Sequence, residues 1–372
     1  LAKGTTLIDL IPPVRMNYLK SQKYQLGRRL VGVFPADYPR EILWSANALP
    51  VEIWDPPLEV TNANAHLQAY ICSIVKVGLE LILRGKCDIL DAFLFPHTCD
   101  SIQNLASIVN DYLGVQKPCF FFYHPKAPYE KSSHQYYRAQ LEEFSRKLER
   151  EFGPIDPSEL KHSVEKGQEI SQILNKLYAA RAAGSLGVSN QEFYQIIRQG
   201  EYLHPDDYFP RLEQFLCASG GNPAKGIPLL LSGILPHPGE ILTLLDQCEA
   251  RVADDDLLNC GRRLLVPDCN ASDPFEILAV RYFSMPPCTT RNCSVKQRTG
   301  YLIEKAERCG ARGIIFNLVK FCEPEFFDLP QLLEALREKG LHSLVLDSEL
   351  NQGLTGQLKT RIEAFVEMIA GS

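Results

Sequence analysis

Two segments of this chain follow one template, and a template used twice leaves few folds open. CDILDAFLFPHTCD at residues 87–100 and CGARGIIFNLVKFCEP at 309–324 each run from a cysteine through an apolar stretch to a second cysteine, followed at once by an acid. An earlier echo accompanies each: PREIL at 39–43 and PGEIL at 238–242 follow the first apolar run of their respective halves. Matches in the same order predict duplicated halves that face each other.

The pattern within each half names the fold class. Apolar runs at 30–34, 49–54, 89–95 and 118–123 read as buried strands, separated by helix-periodic stretches at 40–47, 67–83 and 102–113. Strand and helix in alternation imply a parallel sheet covered by helices. From 132 to about 199 the chain is charged and helix-periodic without strand signal, and Gly220, Gly221, Asn222 and Pro223 then mark a boundary. Beyond it, strands are expected at 228–232, 250–254, 313–318 and 343–347, with helices at 240–248, 274–282, 297–308, 331–339 and 355–370. The expected fold is α/β: two facing flavodoxin- or Rossmann-like parallel-sheet domains, over 1–131 and 223–372, joined by a helical connector over 132–222.

Composition removes several function classes. At 372 residues the chain exceeds one ordinary domain, and 45% apolar with 23% charged residues describes a soluble protein. A formal net charge of −6 without clustered Lys and Arg argues against nucleic acid. No apolar run approaches the ~20 residues that span a bilayer. Residues 1–15 lack the basic and long apolar segments of a leader. The expected compartment is the cytoplasm. Twelve scattered cysteines do not form the framework of a small secreted domain. No C-x-x-C pair occurs, which removes zinc ribbons, thioredoxin-like motifs and bacterial ferredoxin clusters. Any metal must draw its ligands from distant segments. G-x-G-x-x-G, Walker A and H-E-x-x-H are also absent, so ATP binding by this chain has no support.

In open α/β sheets the functional crevice lies at the carboxyl ends of the strands. Cys99 and Cys322 end such strands immediately before a helix, where about half a positive charge favours thiolate over thiol. Facing halves would aim both sulfurs at one cleft. Cys72, in AYICSIVKVGLE, lies in a helix-periodic segment and reads either as core filler or as a third ligand. Three thiolates suit a [4Fe-4S] cube with one iron open, or zinc with a water. Cys260, in LLNCGRR, and Cys288 and Cys293, in MPPCTTRNC, stand in turn-like segments and are further ligand candidates. Cys269 ranks below them, and Cys87, Cys119, Cys217, Cys248 and Cys309 read as packing residues. His97 and His124 flank strand ends, as acids or solvated loop residues. Glu41 and Glu240 favour helix N-termini.

At these residues the chain resembles the 2-hydroxyacyl-CoA dehydratase and benzoyl-CoA reductase superfamily. The likeness is carried by VGVFPADYPREILWSANALPVEIWD, ICSIVKVGLELILRGKCDILDAFLFPHTCDS, LLLSGILPHPGEILTLLDQCEARVADDD, GIIFNLVKFCEPEFFDLPQLLEALREKG and TRIEAFVEM, spread over nearly the full length. The resemblance implies that Cys72, Cys99 and Cys322 hold the family's cluster. It further implies a dimer with a second homologous or identical subunit, a separate ATP-hydrolysing iron–sulfur activator, and an acyl-CoA substrate. Cys260, Cys288 and Cys293 depart from the simple dehydratase pattern. By resemblance to the superfamily's double-cubane branch, they would hold the other half of an [8Fe-9S] cluster in a homodimeric reductase of small molecules. A non-catalytic two-lobed binding protein, or a zinc-stabilised partner subunit, is the alternative of another class.

Overall fold

The computed structural model describes residues 12–54, 58–219, 223–267 and 269–371. Gly220, Gly221 and Asn222, expected at a boundary, lie outside the described residues, as do residues 1–11 of the segment read for a leader. After a first helix, α1 (Arg15–Tyr24), the N-terminal half runs β1 (Arg29–Val33), α2 (Arg40–Ser45), β2 (Ala48–Glu52), α3 (Ser73–Leu83), β3 (Ala92–Pro96), α4 (Asp100–Ser107) and β4 (Cys119–Phe122). Four helices form the connector: α5 (Lys131–Phe152), α6 (Pro157–Ala182), α7 (Asn190–Arg198) and α8 (Pro205–Ser219). The C-terminal half runs β5 (Ile227–Gly233), α9 (Glu240–Gln247), β6 (Ala250–Leu257), α10 (Gly261–Leu264), α11 (Pro274–Ser284), α12 (Val295–Cys309), β7 (Gly313–Val319), α13 (Glu323–Glu338), β8 (His342–Ser348) and α14 (Gly356–Gly371). No described helix is long and apolar enough to cross a membrane.

Both sheets are wholly parallel and share one strand order, β2-β1-β3-β4 and β6-β5-β7-β8. The duplication expected from the echoes is therefore one of topology as well as of motif. In each sheet the chain leaves the first strand on one side and returns on the other, which opens a crevice between β1 and β3 and between β5 and β7. Gly233, at the end of β5, makes the second crevice narrow. Its φ of +146° suits glycine, and a Cβ there would stand 2.1 Å from the Asn317 carbonyl oxygen of β7.

The halves do not merely touch. One buried apolar cluster includes Phe34, Phe95 and Cys72 from the first lobe and Leu229, Leu235 and Ile315 from the second, so the core is continuous across the seam. Several helix bounds departed from expectation, and the helix expected at 331–339 starts already at Glu323. The helix expected at 67–83 begins only at Ser73, and the one expected at 102–113 starts at Asp100 and turns into a π-helical segment at Ile108–Tyr112. Apolar periodicity continues through both changes and so conceals them.

An exposed strand edge invites pairing with another chain. At β6, the edge of the second sheet, the connector closes it with side chains. Asn190 accepts from the Val252 N–H at 2.7 Å and donates to the Ala250 carbonyl at 2.9 Å, while the Arg181 Nε donates to the Val252 carbonyl at 2.9 Å. Arg181 also donates to the Asn190 Oδ1 at 2.6 Å, and both residues are fully buried. Replacing Asn190 by Leu strands a strand donor, a strand acceptor and a guanidinium N–H in the interior. The expected loss is about 3 kcal/mol, read as a lower urea midpoint at unchanged slope; Asn190→Asp, which keeps the acceptor, loses less.

Candidate metal centre

Three cysteines occupy the same local position. Cys72 is the N-cap of α3, Cys99 of α4 and Cys322 of α13, and none of the three spends its sulfur on a capping hydrogen bond. Cys99 follows β3 and Cys322 follows β7, equivalent strands of the two sheets. Cys72, expected on a helix face, instead sits where the helix starts. The signal missed was the helix start itself, because Ile71 before the cap carries the apolar pattern upstream. At such a position the first N–H groups face the cap residue. The N–H groups of Ser101 and Ile102 favour the Cys99 thiolate, those of Ile74 and Val75 the Cys72 thiolate, and that of Glu325 the Cys322 thiolate.

The three sulfurs lie within each other's electrostatic reach. Burial pushes the Cys72 thiol up to about 12, and the neighbouring Cys99 adds to the rise. Cys322 is raised well above the ordinary thiol range by burial and then by Cys72, Glu325 and Cys99; burial also raises Cys99. Phe321 ties two of the helix starts together: its ring receives Lys76 of α3 at 5.6 Å, and its left-handed backbone, φ +64°, turns the chain into Cys322. Cys72 is buried and Cys99 and Cys322 are half-buried, and thiols that oppose each other's ionisation are held as thiolates only when a cationic guest accepts them. Among the described residues, no set of three His, Cys, Asp or Glu side chains is placed to hold a metal ion. Three cysteine donors have the chemistry that an iron–sulfur cube takes as ligands.

Cationic groups missing from the sequence reading close the seam. The amino group of half-buried Lys126 donates to the carbonyls of His97 and Thr98, at 3.2 and 3.0 Å, and to that of Thr290 from the other lobe. Its charge bears on Cys99 and Cys288. Like Cys99, it follows a strand end of the first sheet, and that placement was the available signal. Beside Cys72, the Ser73 hydroxyl accepts from the Leu350 N–H at 2.9 Å, a second tie across the lobes.

Cys260, Cys288 and Cys293 do not share surroundings. Cys260 is fully buried, donates to Asn259 Oδ1 at 3.3 Å, and is pushed well up by burial and by Asp255 and Glu201. Cys288 is buried among cations: Arg262 Nη1 donates to its sulfur at 3.4 Å, and although burial opposes ionisation, Arg262, Arg291 and Arg298 hold the thiol below its ordinary value. Cys293 is half-buried and joined to Cys288 by a turn, its N–H donating to the Cys288 carbonyl at 3.1 Å. Of the residues read as packing, Cys87 and Cys309 are buried but Cys217 is exposed on α8. Cys269 packs against the edge of the first lobe's second apolar cluster. Glu41 pairs with Arg281 at 2.8 Å, a structural role.

Beneath Cys322 stands a buried box of charges. Arg262 binds Asp256 at 2.8 Å and Glu325 at 2.6 Å, and Arg298 binds the same two acids at 3.3 and 3.4 Å. Burial alone would raise both carboxyls, but Arg262 and Arg298 outweigh it and hold them below their usual range. Glu325 lies in the first turn of α13, so the box fixes the helix that presents Cys322. Removing one member leaves a buried charge unmatched, and Arg262→Met is expected to cost about 3–5 kcal/mol. Because both carboxyls titrate lower in the folded chain than in the unfolded one, their contribution is whole above about pH 4 and drains as pH falls through the folded values. The acid limb of a stability–pH curve should therefore be shallower in Arg262→Met than in the parent chain.

The chain is similar to known proteins over most of its length. Residues 35–369 match the family described as 2-hydroxyglutaryl-CoA dehydratase, D-component. The (R)-phenyllactyl-CoA dehydratase beta subunit of Clostridium sporogenes is 26% identical, covering 95% of both chains. A benzoyl-CoA reductase subunit from Thauera aromatica is 25% identical over 92% of this chain and 91% of its own. The beta subunit of (R)-2-hydroxyglutaryl-CoA dehydratase from Acidaminococcus fermentans is 22% identical over 92% and 93%. With a match that runs through both sheets and the connector, the chain belongs to the 2-hydroxyglutaryl-CoA dehydratase, D-component family.

Proposed function

We propose that this chain is the iron–sulfur subunit of an ATP-driven, low-potential reductase or dehydratase acting on a CoA thioester, with Cys72, Cys99 and Cys322 holding one [4Fe-4S] cube. The observation that carries the reading is the meeting of three uncapped cysteine sulfurs, each at a helix N-terminus and each in the others' field. Bound there, a cube supplies one-electron transfer and, at an iron without a protein ligand, a Lewis acid for the thioester carbonyl. The chain's own part is to bind, orient and seal. Helix starts stabilise the thiolates, Lys126 offsets their negative charge at the seam, and the shared apolar core keeps bulk water from the inner face.

A single cube is favoured over a double-cubane cluster on this chain. Cys260 faces two buried acids that oppose a thiolate, whereas Cys288 faces arginines, and that contrast supports the single cube. The relatives are named as subunits, which supports a homologous or identical partner subunit. The separate ATP-hydrolysing activator belongs to the same reading, since this chain has no nucleotide motif of its own. Twelve free cysteines suit a reducing cytoplasm.

Anaerobic purification tests this directly. The expected protein is brown, with iron and sulfide each at about four per chain, as a cysteine-ligated cube requires. Cys99→Ser and Cys322→Ser are each expected to lose most of that iron while keeping the far-ultraviolet circular dichroism of the α/β fold. Full iron retention in both variants, or a colourless protein carrying zinc, would refute the assignment.

A further inference from the structure

Away from the three sulfurs, one place leaves buried polar atoms unpartnered and also gives them room. A cavity of about 20 Å3 lies between the lobes, with Asp37, Thr98, His124, Arg263 and Cys288 in its walls. Among the described residues, Asp37 Oδ2, His124 Nδ1 and Arg263 Nε are buried and make no hydrogen bond. Left dry, each such atom costs about 1–3 kcal/mol. A water needs roughly 10–15 Å3 and two to four polar partners, so the cavity meets both conditions for one. Asp37, Arg263 and Met285 also line a second cavity, of about 50 Å3, between α2, α6 and α11. There Trp44 Nε1 is a further unpartnered atom, and the walls reach partly exposed residues such as Arg40 and Arg281.

We propose that the two cavities hold a file of ordered waters that carries protons from solvent through Asp37 and His124 to Thr98, the residue before Cys99. The purpose of such a path rests on the iron–sulfur reading, because reductive chemistry at a sealed site consumes protons as well as electrons. Each passage moves one proton and no electron. The Asp37 carboxylic acid gives its proton to the inner water, the water gives one to His124 Nδ1, the imidazolium yields its Nε2 proton to the site, a turn of the ring carries the remaining N–H to the site side, and Asp37 is recharged from the outer cavity.

Charges around both groups suit the task. Burial raises the Asp37 carboxyl against the opposing pull of Arg291, Arg263 and Arg40, with Glu41 adding to the rise, which inclines it to carry a proton. His124 is held well below its usual range by burial and then by Lys126, Arg291 and His97, so a proton received there is quickly passed on. Its ring centre lies 5.6 Å from that of Tyr282.

Two measurements decide. A crystal structure of the iron-loaded chain, at a resolution that orders surface waters, is expected to show a water within hydrogen-bond distance of Asp37 Oδ2 and His124 Nδ1; a dry inner cavity overturns the proposal. In the iron-free full chain, 15N NMR is expected to show the His124 ring proton exchanging with solvent faster than the indole N–H of Trp54, a buried donor without a hydrogen-bond acceptor that lines neither cavity. Asp37→Leu should slow the His124 exchange by roughly a hundredfold, the low end of what a positioned acid–base group contributes, and Asp37→Glu should restore it. Equal exchange in the parent chain and Asp37→Leu overturns the relay. Should Asp37→Leu fail to fold, Asp37→Asn removes the acid at the same size. Iron retained in these variants keeps this outcome separate from that of the cysteine variants.

Discussion

Everything in the molecule depends on a conflict between burial and charge at three sulfur atoms. Thiols withdrawn from water resist ionisation, and three within one another's field resist it further, yet each stands where the first N–H groups of a helix offer a partial positive charge. Left empty, the sulfurs stay protonated; a cationic guest that accepted all three as thiolates would offset both penalties together. The two sheets exist, in this sense, to bring helix starts from distant parts of the chain to one seam.

Charge balance extends past the sulfurs. The first lobe contributes Lys126, satisfied by carbonyls alone, while the second contributes the closed box of Asp256, Glu325, Arg262 and Arg298. These have different roles. Carbonyl ligands leave the ammonium charge of Lys126 uncancelled, so it projects toward the site. The box cancels internally and serves to hold α13. Cys288 lies between the two regimes and is the thiol that arginines draw toward ionisation.

Much of this was legible in the residues. Short apolar runs bounded by helix-periodic stretches located the eight strands of the described residues, most of which are buried on both faces and so leave a continuous apolar signature. The cysteine–acid echo identified Cys99 and Cys322 as equivalent positions, since a strand end followed by a helix start is a local event. Cys72 was harder. Its helix begins within an apolar stretch, and where a helix begins is decided by tertiary packing that periodicity does not carry. Long-range partners were beyond reach for the same reason: Lys126 meets Thr290, and Arg262 meets Glu325, across separations that no local pattern encodes. The loop cysteines are a separate case: Cys260, Cys288 and Cys293 share a turn-like setting, but neighbouring charge sets Cys260, beside two acids, apart from Cys288 and Cys293, which both face Arg291.

The side-chain seal on β6 limits how such molecules can aggregate or assemble. Asn190 and Arg181 occupy the hydrogen-bonding positions a visiting strand would need, so the second sheet cannot be extended past β6 into a continuous ribbon through two protomers. Polymerisation by strand addition is thereby blocked on that flank. A companion chain that docks on that flank is recognised by side chains on helices and loops, a chemistry that can discriminate between near-identical relatives where backbone pairing could not.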